Sequence, residues 1–189
     1  MSAAGPPQGT RPPGGAAQSA VRGEHTSAPA GVRAAGVQAD LAVAAVPDDE
    51  RFWVPQAKDV WFRPLLLNTV SGGWCNLLRV RRSGVLHRHR HPMLVTGYVI
   101  KGRWKYLEHD WVAETGSFVY EPPGEIHTLT VPADCAEMIT LFNISGAMIY
   151  LDAEGNTIGY EDVFTKIEMC RRHYTTAGLP GDYVDQFIR

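Results

Sequence analysis

No stretch of this sequence approaches the roughly 18 to 20 consecutive apolar residues that a membrane-spanning helix requires. The apolar run nearest the start, residues 41–46, is too short for a signal-peptide core. Basic charge is not in excess either: 18 Lys and Arg stand against 20 Asp and Glu, a formal charge of −2. Binding along a phosphate backbone draws on many uncompensated cations, so nucleic acid is not the expected partner. Cysteine is scarce and unpatterned. Cys75, Cys135 and Cys170 form no C-x-x-C pair, which argues against a disulfide framework and for inert thiols among apolar neighbours. These absences lead us to expect a soluble, cytoplasmic protein.

Aromatic residues are missing from the first 46 positions, as are Ile and Lys, and Leu41 is the one leucine there. Such an Ala/Gly/Pro-rich segment cannot bury enough apolar surface to offset the ~1 to 2 kcal/mol per residue that backbone ordering costs. Residues 1–46 are therefore expected to be a disordered tail; Arg11, Arg22 and Arg33 suit a targeting peptide weakly, because Pro and Gly spoil an amphipathic helix. Every Trp, Tyr and Phe lies from Phe52 onward, so residues 47–189 are read as one folded domain.

Within that domain, short runs rich in Val, Ile, Trp, Tyr and Thr recur at 61–67, 73–80, 98–100, 103–111, 117–121, 127–131, 137–143 and 147–151, with Gly- and Pro-bearing turns between them. Many short strands without intervening helices predict an all-β antiparallel barrel or sandwich. The period changes at the end. From Asp162, an N-cap candidate, Phe164, Ile167, Cys170 or Arg171 and Tyr174 recur three or four apart and Gly178 supplies a stop, which predicts one C-terminal helix on the outside of the barrel.

Five of the seven histidines fall between His87 and His127, three of them in the run His87-Arg-His89-Arg-His91. Alternate residues of a strand share a face, so these imidazoles can point one way and Arg88 and Arg90 the other. Two imidazoles on one strand still need a third from another, and His127 is the obvious donor.

The glycines around these histidines resemble those of the cupin family, whose fold is a double-stranded β-helix or jelly-roll barrel. Its second motif, G-x5-P-x-G-x2-H, is matched by Gly116, Pro122, Gly124 and His127, with Val131 where an asparagine often follows. In its first motif, counting back from Gly102 selects His89 and His91 as the ligand pair; Gly84 stands one residue close, and parity leaves His87 open. The glutamate ligand of that motif is replaced by Val95, beside Thr96. The resemblance thus implies a metal centre of His89, His91 and His127 with open positions.

Longer strings, GRWKYLEHDW at 102–111, YEPPGEIHT at 120–128 and GYEDVF at 159–164, are similar to the 2,4′-dihydroxyacetophenone dioxygenase family. That likeness runs from about Trp53 to the C-terminus. It implies an Fe(II) cofactor, other divalent transition metals being possible, and an O2-dependent cleavage of the C–C bond of a small aryl hydroxyketone that yields carboxylic acids. The implied partners are O2 and a small aromatic or ketone substrate, and a homodimer is the oligomer a cupin implies. Glu108, which shares strand parity with Trp104 and Tyr106, and Glu121, which precedes the motif-two turn, are the candidate catalytic carboxylates. Trp61, Trp74, Trp104, Tyr106 and Phe118 are candidates for an apolar pocket. Two other readings stand beside this one: a metal-dependent cupin isomerase, decarboxylase or lyase without O2 chemistry, and a non-catalytic sensing cupin similar to anti-sigma-factor sensory domains.

Overall fold

The computed structural model describes residues 40–45, 48–82 and 84–189. The tail expected over 1–46 thus lies for its greater part outside the described residues. At its end, Val43 packs against the core and the Ala44 carbonyl accepts a hydrogen bond of 3.2 Å from buried Arg63.

Two antiparallel six-stranded sheets make up the domain. The first joins β1 (Val54–Ala57), β2 (Val60–Leu67), β3 (Trp74–Arg81), β10 (Glu137–Ile144), β5 (Val95–Lys101) and β8 (Phe118–Glu121) in that spatial order. In the second, β12 (Thr157–Glu161), β11 (Met148–Leu151), β4 (Val85–Arg90), β9 (Ile126–Thr130), β6 (Arg103–Tyr106) and β7 (Ala113–Glu114) follow one another. This is the all-β antiparallel architecture that the strand spacing predicts, in the jelly-roll arrangement that the cupin resemblance implies.

Period-two alternation fills the space between the sheets. Met138, Thr140, Phe142 and Ile144 of β10, Trp74, Asn76, Leu78 and Val80 of β3, Trp104 and Tyr106 of β6, and Leu129 of β9 all face inward. His127 occupies the same inward parity of β9, so its imidazole enters the core because Leu129 does.

Gly102 joins β5 to β6 at φ +74, and a Cβ there would lie 2.2 Å from the Glu137 carbonyl oxygen. Gly102→Ala is expected to cost about 2 kcal/mol or more, combining left-handed backbone strain with overpacking against main chain that cannot yield. A urea titration in which the variant matched the wild type would contradict this.

Three readings of the pattern need correction. The run 103–111 ends as a strand at Tyr106, because Leu107 and Glu108 form a turn, and β1, β7 and β12 lie outside the expected runs. The C-terminal helix α1 (Val163–Thr176) is capped by Asp162 through a capping box with Thr165, and Gly178 at φ +75 follows its end. Its buried stripe is Val163, Lys166, Ile167, Cys170 and Tyr174, whereas Phe164 is 57% exposed, so the apolar face starts one residue earlier than the periodicity implies. It packs on β1, β2 and β12. All three cysteines are free thiols, Cys135 and Cys170 buried, and burial pushes Cys170 up to about 12.

Candidate metal centre

Strand β4 does not keep its alternation. Leu86 and His89 are both buried, three residues apart, and a register shift against β9 lies between them. That irregularity turns His87 out to solvent and leaves its carbonyl to accept a 2.7 Å hydrogen bond from the His89 ring. The choice that parity leaves open is decided here: His89 and His91 are inside and His87 is not.

His89 pairs directly across the sheet with His127, while His91 follows the end of β4. His89, His91 and His127 each offer a ring nitrogen within 4.8 Å of the others, and all three are buried. Their rings meet at centroid distances of 5.0, 4.6 and 5.7 Å. Nδ1 of His91 lies 3.2 Å from the Ala147 carbonyl. A carbonyl can only accept, so His89 and His91 carry their protons on Nδ1 and keep Nε2 lone pairs free. Burial, reinforced by the neighbouring imidazoles, pulls all three histidines down to about 3, so they are neutral bases at neutral pH.

Glu121, at the end of β8, adjoins two of the three histidines. It is 2% exposed, and its Oε2 lies 3.6 Å from Nε2 of His91 and 3.5 Å from Nε2 of His127. Its Oε1 accepts a 2.5 Å hydrogen bond from the Tyr106 hydroxyl, and the Tyr106 ring stacks on His127 at 3.9 Å and 5°. Burial pushes the carboxyl up to about 7 against the lowering effect of that hydrogen bond. Oε2 of Glu121 and both ring nitrogens of His127 are buried without a hydrogen-bond partner. Orphaned acceptors cost about 1 to 3 kcal/mol each, so a cluster of them facing one another fits a divalent cation.

Glu108 is elsewhere. It is exposed, its carboxylate accepts hydrogen bonds from the Thr128 amide and hydroxyl at 2.8 and 2.9 Å, and the turn that ends β6 takes it off the inward parity of Tyr106. It braces the strand that carries His127 from outside.

A cavity of about 30 Å³ opens between the sheets, lined by His89, His91, Glu121 and Tyr106 on one side and Trp74, Asn76, Phe142, Met148 and Lys166 among its other walls. Of the expected pocket aromatics, Trp74 and Tyr106 line it. Trp104 is core, Trp61 stacks under Arg79 and Arg81, and Phe118 is 67% exposed. The polar wall was missed from the sequence. Buried Lys166 sits with Nζ 2.5 Å from Glu161 and 4.2 Å over the Phe62 ring, and Gln56 bonds Glu161 and Tyr150. A lysine on the buried stripe of α1 and an asparagine among the inward residues of β3 were the signals available.

Among the described residues no helix is long and apolar enough to cross a membrane. No curated protein matches the chain. Among solved structures, an RmlC-like cupin protein from Ralstonia eutropha JMP134 is similar at 29% identity and a TM-score of 0.66, over 74% of this chain and 91% of that one. A cupin-like protein of unknown function from the same organism aligns at 24% identity and 0.61, over 64% and 75% of the two chains. An acetylacetone dioxygenase from Acinetobacter johnsonii shares the fold at 15% identity and 0.60, over 70% and 94%. A family model described as the ChrR cupin-like domain matches residues 42–148, which spans the paired histidines, the glycine turns and His127. The chain therefore belongs to the ChrR cupin-like domain family of the cupins.

Proposed function

We propose that this protein is a non-haem Fe(II) dioxygenase that cleaves a C–C bond in a compact diketone or hydroxyketone. The observation that carries the reading is the convergence of three neutral imidazoles beside a buried carboxylate, at the wall of a small, mostly apolar cavity. The acetylacetone dioxygenase that shares the fold is a precedent for such chemistry in this kind of shell.

His89, His91 and His127 would hold the iron, which when bound supplies Lewis acidity toward ketone oxygens and a route for electrons to O2. The chain's own residues do the rest. Carbonyls of residues 87 and 147 fix the His89 and His91 rings, and Tyr106 packs face to face on His127, so the three nitrogens are held in place before any ligand arrives. Glu121, raised to about 7, is suited to accept a proton from an acidic C–H or O–H of the substrate at Oε2, while Tyr106 holds Oε1. Trp74, Phe142 and Met148 give the cavity its apolar wall.

Cavity size ranks the substrates. About 30 Å³ accommodates one or two waters, whereas a benzene-sized guest takes roughly 150 Å³. A small ketone needs the wall to yield a little, and Met148, unbranched, is a lining side chain that changes rotamer at low cost; an aryl ring needs more of the wall to move. Protein loaded with Fe(II) under nitrogen should therefore consume one O2 per bond broken when given acetylacetone or hydroxyacetone, and more slowly with aryl hydroxyketones. For a hydroxyketone RCOCH2OH and O2, the balanced products are RCOOH and formic acid. Turnover under nitrogen without O2 uptake would replace this reading with an isomerase, decarboxylase or lyase.

A further inference from the structure

We propose that Glu121 is a fourth protein ligand of the metal in the substrate-free state, reaching the ion from a different strand than the one on which the cupin motif places its glutamate. The proposal rests on the three-histidine site described above, and three independent observations carry it.

Register is the first. Val95 of β5 occupies the position where the first motif has its carboxylate, and Val95 is the direct cross-strand partner of Glu121 on β8. Adjacent residues on paired strands project to the same side with Cβ atoms about 5 Å apart. The carboxylate absent at one position is therefore present at the neighbouring one.

Distance is the second. Oε2 lies 3.6 and 3.5 Å from the Nε2 atoms of His91 and His127. These separations exceed a hydrogen bond, which ends near 3.2 Å for N and O. They match the spacing of two ligands on one ion, roughly 3.4 Å along the edge of a tetrahedron with bonds of about 2.1 Å.

The third is the way the carboxylate is held. Tyr106 takes Oε1 at 2.5 Å and leaves Oε2 as the orphan, buried and aimed at the two imidazoles. Tyr106 also stacks on His127, so one side chain orients two ligands. With Glu121 ionised, the site would carry one negative charge from protein, the same count as the motif with its own glutamate.

The decisive measurement uses Zn(II) as probe. A crystal structure of the Zn(II)-loaded protein should place Oε2 at bonding distance, about 2.0 to 2.2 Å from the ion. Zn(II) affinity, read by competition with a chromophoric chelator, should fall by more than about 100-fold in Glu121→Ala, beyond the roughly 10- to 100-fold that loss of a ligand's hydrogen-bond partner costs. Moving the carboxylate back across the strand pair, in the double variant Glu121→Ala/Val95→Glu, should recover most of that loss, which a merely structural role for Glu121 would not allow. Glu121→Gln, which keeps the volume and the Tyr106 contact, serves if the alanine variant does not fold and should weaken binding likewise.

An ion bound by the three histidines with Oε2 beyond 3 Å, or unchanged affinity in Glu121→Gln, overturns the fourth ligand and leaves the histidine site intact. Wild-type protein that takes up no Zn(II) overturns both.

Discussion

Replacing His127 with alanine is expected to abolish stoichiometric metal binding while leaving the jelly roll folded. The prediction follows from where the ring sits. His127 is fully buried on β9, directly paired with His89 and stacked on Tyr106, and neither of its nitrogens has a hydrogen-bond partner in the protein. Its removal therefore breaks no internal hydrogen bond and even relieves two unsatisfied polar atoms, so the loss falls on the cation, not on the fold. A void remains, at a cost on the order of 1 to 3 kcal/mol, softened by the Tyr106 ring relaxing into it. Metal content by elemental analysis should drop from one ion per chain to near zero, with O2 uptake lost in parallel. His87→Ala, on the same strand but turned to solvent, should retain both. Full metal content in His127→Ala would dismantle the site.

The same burial makes metal-free protein sensitive to acid. In the unfolded chain the three histidines take up protons near their ordinary 6.5; in the folded protein they resist until about 3. Their folded values are depressed, so the unfolded state binds more protons between those limits. The stability that rests on their neutrality is complete above 6.5 and is lost as pH falls, at up to about 4 kcal/mol per pH unit for three sites. Glu121 acts in the opposite sense. Its folded value, near 7, is raised above the ordinary 4.5, so its contribution grows as pH falls through that window, offsetting about 1.4 kcal/mol per unit. The balance is a net loss of about 3 kcal/mol between pH 7 and pH 5, a large share of a typical domain's stability. Urea midpoints of metal-free protein at the two pH values measure this directly; identical midpoints would mean the imidazoles are not buried as a neutral cluster.

Legibility in the sequence varied with the kind of signal. The strands were readable because inward and outward residues alternate in runs such as 137–143, and the second glycine motif was readable because Gly116 and Gly124, at φ +91 and +88, hold backbone that other residues adopt at a cost. The choice among His87, His89 and His91 was not readable. Alternation treats all three alike, and the irregularity between Leu86 and His89 depends on how β4 pairs with β9, a partner some forty positions away. Glu108 was singled out by parity, whereas Glu121 was singled out by its place before the motif-two turn. Parity counts residues along a strand, and it failed for Glu108 because β6 stops two residues earlier and turns.

What the chain's linear order determined by itself is the all-β architecture and the stretch of histidines from which the imidazole donors come, since both are written in local periodicity and in glycine spacing. What only the folded arrangement decided is the electrostatic character of the centre: which carboxylate stands beside the imidazoles, that Tyr106 grips it, and that Lys166 from the final helix closes the far wall. Those facts depend on register between strands distant in the chain and on the exclusion of water from the space between two sheets. Register and burial are properties of pairs of segments, and no single segment encodes them.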